Sequence, residues 1–415
     1  MGRNYLLSFV FCVVIFTNSN AQKIATLEVE LTKPAYGLDM PVKVDLDTIT
    51  FLSDTALSLI EIQGNKRTQI PFQIRNGEHR TLHWVIKSGD EKVKKHFYEL
   101  VKGKTEKNSN YIRAKAEDGL LTIHTGDKNL LGYQYETIYP PDGVDSAYQR
   151  SGFIHPLWSP IEQILTRIQP PDHYHHYGIW NPWTQVFFEG DTIDFWNLGK
   201  QQDTVRFANF VSISEGPIFC EYQALHEHVV FKKGGKEKVA LNELQSVRVY
   251  QPGERDYYIA DITIEMNCDD KSPLLLLEYR YGGFGWRTTE QWTKDNSEVL
   301  TSEGKTRKDA DGTRARWCIV QGAVDDDYAG AVMMSYPTNY NHPEPLRIWP
   351  ENMNDPGDMF ANFSPTKNMD WSLEPGQRYV LKYRLIVFNG RFTKEKAESA
   401  WQYYAISPKI VVKMN

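Results

Sequence analysis

Histidine and tryptophan crowd into one stretch, SGFIHPLWSPIEQILTRIQPPDHYHHYGIWNPWTQVFFEGDTIDFWN, spanning residues 151–197. It holds four of the 11 histidines, His155, His173, His175 and His176, and four of the 11 tryptophans, Trp158, Trp180, Trp183 and Trp196. Imidazoles exchange protons near neutral pH, so a group of them suits chemistry at a hydroxyl, an anomeric centre or a carbon acid. Indoles beside them suit stacking on the apolar face of a sugar ring. Together they point to carbohydrate chemistry, with His173, His175 and His176 as acid–base candidates and His155, Trp180 and Trp196 as substrate contacts. Two other uses compete. The imidazoles could simply support loop packing, or they could ligate a divalent metal. On a strand His173 and His175 would share a face and His176 would point away unless the chain turns, so a metal would need a third ligand from His155, His342 or a carboxylate. No cofactor is assigned on this reading.

Further along, YGGFGWR at 281–287 is glycine-rich but lacks the spacing of a phosphate loop. Its glycines fit a bulge or a close backbone approach, delivering Arg287 to a cleft where its planar fork could hold a carboxylate or a hydroxyl pair. A structural salt bridge is the alternative. The polar loop PTNYNHP at 337–343 follows a buried strand and offers Asn339 and His342 as substrate contacts, or Asx-turn chemistry alone. His226 and His228 alternate along a strand and read as part of a solvated face.

These side chains need a scaffold, and its periodicity is that of β-structure. Residues 257–266 alternate, with Tyr258, Ala260, Ile262, Ile264 and Met266 on one side and Asp261, Thr263 and Glu265 on the other. Residues 379–387 repeat the pattern. An all-β fold follows: a small Ig-like sandwich over 22–110 ending in a polar linker at 102–110, then a large antiparallel β-sandwich over 111–415. One short helix is expected near the end, capped by Thr393, with Ala397, Ala400, Trp401 and Tyr404 on one face.

Of 415 residues, 41% are hydrophobic and 13% aromatic, enough to fill two cores. The net charge of −6, without a long basic run, argues against a nucleic-acid partner. Residues 1–21 read as a signal peptide. Arg3 precedes an apolar run at 6–16, too short to span a bilayer, and Ser19, Asn20 and Ala21 form a small-residue cleavage site. The expected location is therefore periplasmic or secreted, with no integral membrane segment once the signal is removed. Three cysteines remain, Cys220, Cys268 and Cys318, so at least one thiol is free. Buried inert thiols are the favoured reading, with one disulfide as the alternative.

The motifs HPLW, PPDHYHHYGIW, DFW, GGFGWR, TSEG, GTRARW and AVMMSYPTNYNHP resemble a bacterial family labelled methane oxygenase PmoA, from about residue 149 to the C-terminal helix. The family pattern falls on His155, Pro156, His173, His175, His176, Gly178, Trp180, Trp196, Arg287, Trp317, Asn339, His342 and Pro343. That resemblance implies a secreted domain encoded near polysaccharide utilisation, with a galactose-mutarotase-like supersandwich. It does not imply the membrane subunit that the label names. The reading that results is a carbohydrate-active protein, leaning towards an enzyme, with a glycan or sugar as substrate. One of His173 or His175 would be the acid or base, and Arg287 and Asn339 would fix the substrate. Lyase, epimerase and hydrolase chemistries are not separated. The rivals are a non-catalytic glycan-binding or scaffold protein and a metal-dependent oxidase or oxygenase.

Overall fold

Alternating apolar residues build almost the whole body. The computed structural model describes residues 22–415 except 32, 34, 90–93, 105–109, 270 and 354–355, and its sheets are antiparallel throughout. The expected signal peptide and most of the expected linker lie outside the described residues. Among the described residues no helix is long and apolar enough to cross a membrane. The fold class is all-β, as the periodicity predicts.

Two eight-stranded sheets form the larger body. The first runs in the order Asp203–Ser214, Phe219–Lys232, Lys236–Tyr250, Tyr257–Cys268, Tyr379–Asn389, Asp327–Ser335, Trp317–Val324 and Ser297–Thr301. The second runs in the order Leu346–Ile348, Phe360–Phe363, Phe284–Arg287, Ile179–Trp180, Phe153–Leu157, Lys128–Gln134, Leu120–Thr125 and Ile112–Glu117. Ile262, Ile264 and Leu381 from the first sheet share one buried core with Ile154, Ile179, Trp286 and Ala361 from the second. Each such isoleucine or leucine side chain contributes roughly 1.5–3 kcal/mol by leaving water.

The two strands with the clearest alternation are neighbours, with Ile262 opposite Tyr383 and Ile264 opposite Leu381. Their polar side is less wet than the pattern suggests. Arg384 donates to both carboxylate oxygens of Asp261, at 2.6 and 2.8 Å, and is itself buried. The helix Lys394–Ala405 packs on this sheet through Ala397 and Ala400, against Trp317, Ile319 and Ile386. Thr393 caps it, accepting from the Lys396 N–H at 3.3 Å.

The smaller sandwich pairs the sheet Lys409–Met414, Lys23–Glu30, Lys95–Lys102, Leu57–Gln63 and Lys66–Ile70 with the sheet Met40–Asp45, Thr81–Ile86 and Gln73–Arg75. Leu27, Leu59, Leu82, Trp84 and Tyr98 fill its core. One of its strands comes from the far end of the sequence. Lys409–Met414, expected in the larger domain, lies antiparallel to Lys23–Glu30, with Leu27 opposite Val412. Charge and hydrogen bonds join the two bodies: Arg75 meets Glu221 at 2.7 Å, and the Gln73 Oε1 accepts from the N–H groups of Ile218 and Phe219. Cys220, Cys268 and Cys318 are all free and buried, and burial pushes the Cys220 and Cys318 thiols up to about 12. These are the inert thiols of the first reading.

Candidate active site

Period two sets the place of the site. Along the second sheet Ile154, Ile179, Trp286 and Ala361 point into the sandwich core. Phe153, Trp180 and Phe360 belong instead to a separate aromatic cluster with Tyr177, Trp196, Leu198 and Trp349, on the sheet's other face. Gly285 lies between Phe284 and Trp286 on that strand. A Cβ there would come within 3.1 Å of the Trp196 ring and 3.3 Å of Phe360, so the glycine lets both rings close on the sheet.

The segment before Ile179–Trp180 is not a strand. The His173 N–H donates to the Pro170 carbonyl at 2.9 Å, and the His176 N–H to the His173 carbonyl at 3.0 Å. Two consecutive turns therefore bring all three imidazoles to one place, which strand geometry would have kept apart. Ring centroids are 5.3 Å apart for His173 and His175, 4.7 Å for His173 and His176, and 4.8 Å for His175 and His176. His176 is buried, stacked on Phe360 at 5.1 Å and tilted against Trp180 at 5.2 Å. Gly178, at φ +55°, ends the turn. A Cβ there would lie 2.2 Å from the Ile154 carbonyl oxygen. Gly178→Ala is accordingly expected to lower stability by about 2–4 kcal/mol, from left-handed backbone plus overpacking, read as a lower urea midpoint.

An open cleft of about 250 Å³ is lined by all three histidines and by Trp196, Trp349 and Tyr281, with Asn197, Arg280 and Arg347 supplying polar groups. The Asp172 carboxylate accepts from His173 Nδ1 at 2.7 Å, which leaves Nε2 as the imidazole's available nitrogen. Arg287 donates to both oxygens of Asp172, at 3.1 and 3.0 Å, and also bonds Asp358. Its guanidinium lies 4.7 Å from the Trp349 ring centroid. Burial pushes the Asp172 carboxyl up, but the bonds and charges of His173 and Arg287 outweigh it and bring it down to about 2. Burial, helped by the His173 charge, lowers His175 to about 3. His176 is held well below its ordinary value by burial and then by His175 and Arg287. At neutral pH both are uncharged rings with a lone pair to offer.

The structure gathers some of the expected residues and disperses others. His173, His175, His176 and Trp196 line the cleft. Trp180 and Trp196 are 1% exposed and packed 4.9 Å from each other, so they brace the histidines rather than offer free faces to a sugar. Arg287, 1% exposed, sits behind the cleft and positions Asp172. His155 bonds the Thr166 hydroxyl at 2.9 Å, outside the cleft lining, and burial lowers it to about 4.

Asn339 and the half-buried His342 lie elsewhere, in a polar knot around the buried Glu344. There Asn339 donates to Glu344 at 2.9 Å, Tyr383 donates to it at 2.8 Å, and His342 Nδ1 meets the Ser335 hydroxyl at 3.1 Å. His226 and His228 are also not solvated. Both are buried against the Glu243 carboxylate, at 3.1 and 3.3 Å. Sequence reasoning missed Asp172, Trp349, Phe360 and Asp358. Only Asp172, next to His173, carried a local signal.

Among solved structures, the chain is similar to an alpha-mannosidase from Enterococcus faecalis V583, with 10% identity over 95% of this chain and 47% of that one, at a TM-score of 0.44. It therefore spans about half the mannosidase's length. A galactose mutarotase related enzyme from Lactobacillus acidophilus aligns over 68% of this chain and 98% of its own, at 9% identity and a TM-score of 0.32. Heparan sulfate lyase HepC from Pedobacter heparinus aligns over 69% and 36%, at 9% identity and a TM-score of 0.31. No curated protein sequence matches the chain. Residues 121–402, which carry every residue of the cleft, match the family of unknown function DUF6807, and the chain belongs to that family.

Proposed function

We propose that the cleft binds a glycan or sugar unit and that the protein turns it over by chemistry at the histidine cluster, outside the cytoplasm. The observation that carries this is the convergence of three imidazoles on one open, aromatic-walled cleft, with His173 backed by a carboxylate. An imidazole whose Nδ1–H is held by Asp172 presents Nε2 as a proton acceptor in fixed orientation. Asn197, Arg280, Arg347 and the Tyr281 ring supply the mixed polar and apolar contacts that a polyhydroxylated ring needs. The signal-like residues 1–21, and the resemblance of the motif block to the PmoA-labelled family, support a periplasmic or secreted setting among polysaccharide-degrading functions.

The test is to incubate the full chain with a panel of oligosaccharides and follow products by mass spectrometry. Turnover of at least one class is expected. Tyr281→Ala should then raise KM by about 2–10-fold with little change in kcat, because it removes ring contact that substrate and transition state share. If no glycan is turned over or bound saturably, the reading fails. Saturable binding without turnover, surviving loss of His173 and His175, would make the protein a binder instead.

A further inference from the structure

We propose that His173, His175 and His176 together hold one divalent first-row transition ion of the zinc class, with its remaining coordination positions open to the cleft. The inference deepens the reading above and takes from it only that substrate reaches this cleft; with an ion bound, His173 Nε2 serves as a ligand in place of the proton acceptor of that reading.

The donor geometry comes first. One nitrogen from each of the three rings lies within 4.8 Å of the other two. Bonds of about 2.0–2.1 Å to zinc place tetrahedral partners about 3.3 Å apart, so small ring movements close the set around an ion. Packing holds the rings: His176 is clamped between Phe360 and Trp180, and His173 lies 4.9 Å from Trp349. Two turns and a left-handed glycine hold the short loop that carries all three.

Two further observations point to a cation. The Nδ1 atom of His176 is buried and has no hydrogen-bond partner. A buried polar atom left so carries a free-energy penalty, which an ion bound at that nitrogen would remove. His173 has the reverse arrangement, with its Nδ1 bound by Asp172 and Asp172 in turn held by Arg287. A carboxylate behind a ligating imidazole is the outer shell that orients metal-bound histidine.

Donor chemistry narrows the ion. Three imidazoles without thiolate suit zinc, copper, iron or nickel, and not magnesium or calcium, which take oxygen ligands. Three protein donors beside an open cleft match a reactive site rather than a closed structural one. Among the described residues, the other group of metal-capable side chains, Asp45, Asp47 and His79, carries no such argument, because Asp47 already binds Arg80 at 2.7 Å.

The full chain, stripped with chelator and dialysed, should take up one equivalent of Zn²⁺ in calorimetric titration, and Mg²⁺ or Ca²⁺ should not compete. His175→Ala should weaken Zn²⁺ binding by more than 100-fold. Asp172→Asn, which keeps the loop's packing, should weaken it by about 10–100-fold. A thermal melt of each metal-free variant confirms that it is folded. Absence of stoichiometric uptake, or uptake unchanged in folded His175→Ala, overturns the proposal. Glycan turnover separates the two readings: turnover that persists undiminished in metal-free protein removes the metal and keeps the sugar. One equivalent bound without turnover of any glycan removes the sugar and keeps the metal.

Discussion

Alanine at His175 is expected to lower kcat/KM on the glycan substrate by about 10²–10⁴-fold, the usual contribution of a positioned proton-transfer or ligating group. His175 is only partly buried, so its loss leaves a small defect and the fold should hold. His176→Ala should lose activity to a similar degree and stability as well, because the ring fills space between Phe360 and Trp180. Asp172→Asn should fall between these variants and wild type. It puts a donor where His173 Nδ1 needs an acceptor, so kcat should drop while KM stays close to wild type. Steady-state kinetics on the three variants, with melting temperatures measured in parallel, check the ranking. Unchanged kcat/KM in folded His175→Ala would remove the histidine cluster from the reaction.

The largest effect on stability is expected at a residue outside the cleft lining. Glu243 lies buried inside the sandwich, where its carboxylate accepts from His226 at 3.1 Å, His228 at 3.3 Å and the Asn181 side-chain amide at 3.1 Å. The other nitrogen of His226 meets the Tyr133 hydroxyl at 2.6 Å. Glu243→Leu removes the acceptor for three buried donors at once and should cost about 3–5 kcal/mol, measured as a shift in the urea midpoint at constant slope.

The same network makes the fold acid-sensitive. Burial pushes the Glu243 carboxyl up, yet the hydrogen bonds from His226 and His228 outweigh it and hold it well below its ordinary 4.5. Burial also holds His228 below its ordinary 6.5. In both cases the unfolded chain takes up the proton more readily than the folded one. Their contribution is therefore complete above about pH 6.5, then falls as pH drops through that value and again below 4.5. A midpoint that did not fall between pH 7 and pH 5 would contradict this assignment.

Periodicity made the strands legible because it records which side of each strand is buried. Ile262, Ile264, Leu381 and Tyr383 lie in the core as their spacing demands. Where the pattern misled, a second layer had covered a face that looked wet. Asp261 and Arg384 satisfy each other, with the Arg384 guanidinium over the ring of Tyr404 on the helix, and His226 and His228 alternate into the interior around a carboxylate from the neighbouring strand. No local pattern announces a partner 15 or 17 residues away.

The histidine cluster was visible as composition, but its convergence depended on turns that PPDHYHHYG allows without dictating. Trp349 and Phe360 reach the cleft only through sheet pairing, Phe360 opposite Arg287. Asn339 and His342 looked functional because polar loops after buried strands often are. Here Asn339 bonds Glu344 instead, and His342 bonds the Ser335 hydroxyl that donates to the same carboxylate.

The pairing of Lys409–Met414 with Lys23–Glu30 has a consequence for biogenesis. During synthesis the smaller sandwich lacks an edge strand until Lys409–Met414 has been made, and through that interval Lys23–Glu30 presents open backbone to any passing chain. A holding chaperone would have its clearest job there. Truncation before Lys409 would spare every cleft residue and still leave Lys23–Glu30 unpaired and prone to aggregate.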